Sequence, residues 1–307
     1  MIAVITNALP LVLMGDPASL SAAEIQIKNT FMKLTLPPKI TKTAKALSII
    51  VLVVTVIASW SLIIYVCLSP GKANGILVES SGCNVAKINL YGEIYTYIQE
   101  NENCSDCVSS EVIVNQIRNA EADDSIKAIL LNIDSSGGSL TAGQEIANAL
   151  KLSPKPTVAL IRDSGTSAAY FAATGADIIF ASDMSNIGSI GVTSSYLDNS
   201  KKNQAEGLTF NQLSMGKYKD MGNRDKPLTA EERALWLADT KIMYDIFINN
   251  VAGNRQLDVE KVKKLADGNT MLGQKAMANG LIDQIGDIFD AEIYISSTTG
   301  EDVVVCR

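Results

Sequence analysis

Residues 128–143 read AILLNIDSSGGSLTAG. The six residues 128–133 form an apolar run of buried-strand type, the small polar stretch DSSGGS at 134–139 reads as a turn, and the spacing beyond it predicts a helix over about 141–150. A strand that feeds a helix through a glycine turn is half of a parallel βαβ unit. The same rhythm continues on both sides. Towards the C-terminus come a strand at 157–161 (TVALI), a small-residue helix at 167–174, a strand at 178–181 (IIFA), and helices at 230–251 and 259–265. Towards the N-terminus, 85–91 (VAKINLY) is strand-like and ends at Gly92, while 112–122 has helical spacing. The pattern predicts an α/β fold of stacked βαβ units with a helical C-terminal part.

Composition narrows the chemistry. The 307 residues carry 26 Lys plus Arg against 33 Asp plus Glu, a net charge of −7, and no histidine. Without imidazole there is no Ser-His-Asp triad, Cys-His dyad, His-ligated zinc or proximal haem ligand. The acidic balance argues against nucleic-acid binding. No motif calls for a cofactor or a metal.

A mean hydropathy of +0.16 suits a globular domain with one local apolar segment. That segment is 46–70, ALSIIVLVVTVIASWSLIIYVCLSP, without a charge and long enough to cross a bilayer as one helix. Lys28, Lys33, Lys39, Lys42 and Lys45 precede it, and only Lys72 and Lys87 follow closely. The bias keeps the N-terminus cytoplasmic. The expected organisation is therefore a cytoplasmic segment 1–45, a transmembrane helix 46–70, and a domain 71–307 on the periplasmic or extracytoplasmic side of the inner membrane. The short run 1–14, broken by Asn7 and Pro10, reads as interfacial or disordered.

Four places in the domain have chemical potential. Gly137 and Gly138 follow a buried strand, where adjacent glycines either make a tight turn or let backbone N–H groups approach a ligand as an oxyanion hole requires. Ser167 stands between a strand and an alanine-rich helix; it is an N-cap serine, a role open also to Ser164 and Thr166, or a nucleophile whose oxyanion meets the N–H of Ala168. A nucleophile needs a base, and without histidine the candidates are Lys217 and Lys219 in SMGKYKD (214–220). A lysine is no base at neutral pH, with an ordinary pKa of ~10.4, unless burial or a neighbouring cation lowers it. Otherwise both are solvated surface lysines. Finally, Gly188, Ser189, Ile190 and Gly191 read as a turn or as the wall of an extended-peptide groove.

Together and in this order, these pieces resemble the short form of signal peptide peptidase A, the membrane-anchored Ser-Lys proteases of peptidase family S49. The matching blocks are 128–143, SGTSAAYFAATGADIIFA at 164–181, IGSIGV at 187–192, GKYKD at 216–220 and LADGNTMLGQKAMANGLIDQIGD at 265–287. The resemblance implies a ClpP/crotonase-like fold, and homo-oligomers in which serine and lysine come, in some members, from neighbouring protomers. It places the nucleophile on Ser167, the base on Lys219 (Lys217 in a register shifted by two), and the oxyanion donors on Gly137 first, then Gly138, and on Ala168. The implied substrates are cleaved signal peptides and other apolar peptides. Two departures stand out: Ser136 replaces the proline of the family's Ser-Pro-Gly-Gly, and Ala168-Ala169 replace the two glycines after the nucleophile. Alanine retains the N–H.

Cys83, Cys104, Cys107 and Cys306 lie on the predicted exported side and permit three pairings. Cys104-x-x-Cys107 lacks a thioredoxin-like context, so a local disulfide or free thiols are the expectation, ahead of a redox or metal role. Besides a peptidase, two readings compete: a thioester-processing crotonase-like enzyme, and an inactive scaffold that oligomerises with a membrane partner.

Overall fold

The chain divides into two units, Met1–Ile76 and Leu77–Arg307. The structure, a computed structural model, describes residues 82–99, 104 and 106–306. The predicted span 46–70 and the run 1–14 lie outside the described residues, among which no helix is long and apolar enough to cross a membrane.

The described unit is built on a parallel sheet. In chain order its elements are β1 (Val85–Tyr95), β2 (Cys107–Ser109), α1 (Ser110–Ala122), β3 (Ala128–Gly138), α2 (Leu140–Leu152), β4 (Thr157–Thr166), α3 (Ala168–Ala173), β5 (Ile178–Ala181), β6 (Asn186–Gly188), α4 (Ser200–Ala205), α5 (Ala230–Arg255), α6 (Val259–Leu265), β7 (Thr270–Leu272), α7 (Gly273–Asn279), β8 (Gln284–Ile285) and α8 (Ile288–Thr299). The sheet order is β2-β1-β3-β4-β5-β8, with every neighbouring pair parallel. The short β6 pairs with the far end of β4, beyond the reach of β5, and β7 runs antiparallel to β6.

Burial on both faces explains the uninterrupted apolar runs. Ile129, Leu131 and Ile133 of β3 point into one core with Ile113 and Ile117 of α1, Ile146 of α2, and Phe247 and Val251 of α5. Ala128 and Leu130 face the other way, with Val158, Leu160 and Phe180, onto Ala291 and Ile295 of α8. Each fully buried Leu or Ile contributes about 1.5–3 kcal/mol relative to an exposed one.

Three strands run further than local pattern indicates. β1 does not stop at Gly92 but passes through it with a register shift: Tyr91 pairs with Asp134, and Glu93 with Gly137. β3 therefore carries one extra residue there, a bulge, and continues as strand through the DSSGG stretch. β4 continues past Ile161 to Thr166 because β6 supplies a new neighbour, Thr166 opposite Gly188. The lesson is local: a glycine and a run of small polar residues look like a turn until a partner strand captures them.

Among the described residues, the four cysteines form two disulfides, Cys83–Cys306 and Cys104–Cys107. The first joins the two ends of the domain, where Asn84 N–H donates to Val304 O (2.8 Å), Cys306 N–H donates to Val85 O (2.9 Å) and Val85 bridges Val305. It closes a loop with a sequence separation of 223. Removing it with the double variant Cys83→Ser, Cys306→Ser is expected to destabilise the domain by about 2–5 kcal/mol. Chemical denaturation measures this directly; an unchanged midpoint would show that the hydrogen bonds around Asn84 suffice.

Candidate active site

Ser167 occupies the joint between β4 and α3. Its backbone lies at φ 53°, ψ −125°, a left-handed conformation unusual for a residue with a side chain. Its N–H donates to Gly188 O at 2.8 Å, so β6 holds the strained residue in place. The side chain makes no cap hydrogen bond. The N-cap reading thus describes the position of Ser167 but not its hydroxyl. α3 can sit this close to the sheet because its residues are small and because Gly143 of α2 faces it: a Cβ there would lie 2.4 Å from Ala168 O. Ala168 and Ala169, the departures from the family pattern, are fully buried. The Ala168 N–H belongs to the first helical turn, whose amides lack intrahelical acceptors.

Gly137 and Gly138 pass alongside Ser167 with φ of 108° and 146°. A Cβ on Gly137 would stand 2.8 Å from Ser167 Cβ, 2.9 Å from Thr166 O and 3.0 Å from Ala168 N. The two glycines have separate roles. The Gly137 N–H donates to Ser135 Oγ (3.1 Å), and Ser139 N–H donates to Ile94 O (2.8 Å). Successive N–H groups alternate sides along a strand, so with 137 and 139 turned towards β1 the Gly138 N–H points away from it. The Gly137 N–H is thus engaged by Ser135 Oγ, which leaves Gly138 as the glycine available as a donor.

Ser167 and Gly138 border a cavity of about 610 Å³. Ser189 and Gly191 line it, whereas Ile190 is buried and Gly188 contributes through its carbonyl to Ser167. The wall is zipped to the loop after α6: Ser189 N–H donates to Asn269 O (3.0 Å), and Ser189 Oγ–H to Gly268 O (2.9 Å). Leu140, Met243, Tyr244 and Asp267 complete the lining. None of these four was marked by the sequence as a site residue, since they come from three separate elements and carry no local motif. The backbone N–H and side-chain amide of Asn269 hold the Asp267 carboxyl below the usual carboxylate range. Among the described residues, no group of three or more His, Cys, Asp or Glu is placed to hold a metal.

Neither candidate lysine reaches this cavity within the chain. Lys217 pairs with Glu231 at 2.6 Å and lies over the Tyr218 ring, and the Glu231 hydrogen bond pushes its pKa up, the wrong direction for a base. Lys219 is exposed, on a segment where Leu213 and Met215 are 96% and 95% exposed, and among the described residues its ammonium has no ion-pair partner.

The cavity, the strained serine and the paired glycines occupy the part of the chain matched by known families. A Clp protease model matches residues 87–185, which carry Gly137, Gly138 and Ser167, and the peptidase family S49 model matches 149–296. A protein of Methanocaldococcus jannaschii, provisionally named a protease, is 30% identical over 214 residues, covering 68% of this chain and 69% of its own. The chain belongs to peptidase family S49. Its fold is accordingly the α/β, ClpP-like one, and its family is one of serine-type proteases. A protein of Enterococcus faecium provisionally named signal peptide peptidase SppA is 31% identical to this S49 chain over 215 residues, 69% of the chain. The match spans 62% of the Enterococcus protein's length. A mutant ClpP1 from Listeria monocytogenes, a solved structure, aligns with a TM-score of 0.45 and 14% identity over 66% of this chain and 92% of that one.

Proposed function

We propose that this S49 chain is a membrane-anchored serine endopeptidase in which Ser167 is the nucleophile and Lys219 the general base. The observation that carries the reading is Ser167 itself, held in a left-handed backbone at the edge of a cavity with its hydroxyl uncapped and a glycine pair beside it. Tight strand-to-helix turns of this kind present a nucleophile to a substrate carbonyl. The Lys219 amine takes the Ser167 proton as Oγ attacks the scissile carbonyl, and the Gly138 and Ala168 N–H groups receive the resulting oxyanion. The lysine then gives its proton to the leaving amine, and water hydrolyses the acyl-enzyme by the reverse sequence.

Because Lys219 lies away from Ser167 in its own chain, the active unit is read as a homo-oligomer in which the base enters from a neighbouring copy. The exposed apolar side chains around Lys219 support that reading, since an interface would both cover them and desolvate the amine. The apolar lining of Leu140, Val192 and Met243 suits apolar peptides such as cleaved signal peptides, with the 188–191 segment as one wall of an extended groove. Anchoring by 46–70, with the domain on the extracytoplasmic side, agrees with the two disulfides, which persist in oxidising compartments.

The test is covalent. A fluorophosphonate probe is expected to modify Ser167 in the full chain, located by peptide mass mapping, and an unfolded apolar peptide to be cleaved. Labelling that survives in Ser167→Ala would place the nucleophile elsewhere. A well-assembled chain that neither labels nor cleaves would leave the scaffold reading in its place.

A further inference from the structure

Ser135 lies one residue before the position at which this chain departs from the family's Ser-Pro-Gly-Gly, and it is only 3% exposed. Its hydroxyl works in both directions. The O–H donates to Gly92 O at 2.5 Å, and the oxygen accepts the Gly137 N–H at 3.1 Å. These two backbone groups face each other where the β1–β3 register shifts and β3 carries its extra residue. The hydroxyl thus spans the bulge.

The surroundings fix both ends of that bridge. On the β1 side, Glu93 N–H donates to Asp106 O at 2.8 Å, and a Cβ at Gly92 would collide with that same oxygen at 2.1 Å. Gly92 is therefore clamped between β3 and the Cys104–Cys107 loop. On the other side, Thr166 Oγ1–H donates to Ser136 O at 3.0 Å, tying the bulge to the residue before Ser167. Ser135 Oγ and Thr166 Oγ1 thus hold the N–H and the C=O of one peptide group, Ser136–Gly137, from which the chain leads directly into the Gly138 amide.

We propose that Ser135 is a positioning residue of the oxyanion site: its hydroxyl, bridging Gly92 O and Gly137 N–H, sets the orientation of the Gly138 amide towards the carbonyl attacked by Ser167. It acts through the backbone and touches no substrate. The proposal rests on the peptidase reading above. Its chemistry needs one group that donates and accepts at once, which serine and threonine provide and alanine does not. Across the ladder from Ser135 stands Gly165, whose open face is covered by the Ile161 side chain, so the added methyl group of threonine packs against Ile161.

The experiment compares wild type, Ser135→Ala and Ser135→Thr as full chains, with Ser167→Ala as the blank. Ser135→Ala is expected to lower kcat on a peptide substrate by about 10- to 100-fold with KM within about twofold, because a donor displaced by a fraction of an ångström fails mainly in the transition state. A peptide aldehyde, whose adduct with Ser167 carries the oxyanion, should lose affinity by the same factor; the matching peptide alcohol, which forms no adduct, should bind unchanged. Ser135→Thr should restore both. Wild-type kcat in Ser135→Ala, or equal losses for aldehyde and alcohol, would overturn the proposal. So would an unfolded Ser135→Ala beside a folded Ser135→Thr that lacks activity. If Ser135→Ala is unfolded while Ser135→Thr matches wild type, the hydroxyl holds the fold and the positioning claim fails. Turnover by Ser167→Ala would instead bring down the assignment of Ser167 as nucleophile, on which the proposal rests.

Discussion

Ser167→Ala and Lys219→Ala are each expected to lower peptide hydrolysis by about four orders of magnitude or more, and mixing the two inactive variants is expected to bring part of the activity back. The second half of this expectation follows from where the structure puts the lysine. Among the described residues no lysine lines the cavity beside Ser167, and Lys219 stands exposed among exposed apolar residues. If the base comes from a neighbouring copy, a Ser167→Ala subunit still lends its lysine and a Lys219→Ala subunit still offers its serine. Random assembly from equal amounts then gives about one competent site in four. The measurement is hydrolysis after the two variants have been exchanged through dissociation and reassembly. A mixture as inert as its parts, with exchange verified, would place both groups in one chain. Lys217→Ala serves as the control: its ammonium is already committed to Glu231, so its loss should be mild.

Gly137→Ala should be nearly as damaging although it removes no polar group. The added Cβ has nowhere to go, with Ser167 Cβ at 2.8 Å, Thr166 O at 2.9 Å and Ala168 N at 3.0 Å, and the backbone φ of 108° disfavours any side chain. Relief must come from moving Ser167, the Ala168 amide or the Gly138 peptide, the three groups the mechanism requires in register. The expected loss in kcat/KM is about 100-fold or more, comparable to deleting an oxyanion donor, together with a lower thermal midpoint. Gly253→Ala gives the contrast. It sits within α5 with nothing within 4 Å of the new Cβ, so stability should rise by about 0.5–1 kcal/mol without change in turnover. Equal effects of the two substitutions on activity would remove the steric argument.

Much of this architecture is legible in one dimension because its signals are local. Apolar runs of four to six residues, small polar residues and then helical spacing give the strand and helix order of β3, α2, β4, α3 and β5 and where each begins, but not where β3 and β4 end. The absence of histidine excludes every histidine-based triad or dyad with no structure at all. The same reading places Ser167 at a strand-to-helix joint and finds the glycine pair next to it in function, 30 positions away in sequence.

What tertiary structure alone decided concerns direction and partnership. Gly137 and Gly138 are equivalent in the sequence; only pairing with β1, through a bulge that no local pattern announces, turns one amide into the sheet and the other away from it. The lining residues Met243, Tyr244 and Asp267 come from segments that the fold alone brings beside Ser167. The disulfide pairing rests on the two ends of the domain meeting at Val85 and Val305. Lys219 is the plainest case, because the family resemblance names the residue while packing determines that its own chain does not bring it to the serine. Residue type and periodicity reflect short-range sterics and burial, which one chain carries along its length. Register, amide direction and the meeting of distant side chains arise from long-range packing, and that exists only once the chain has folded.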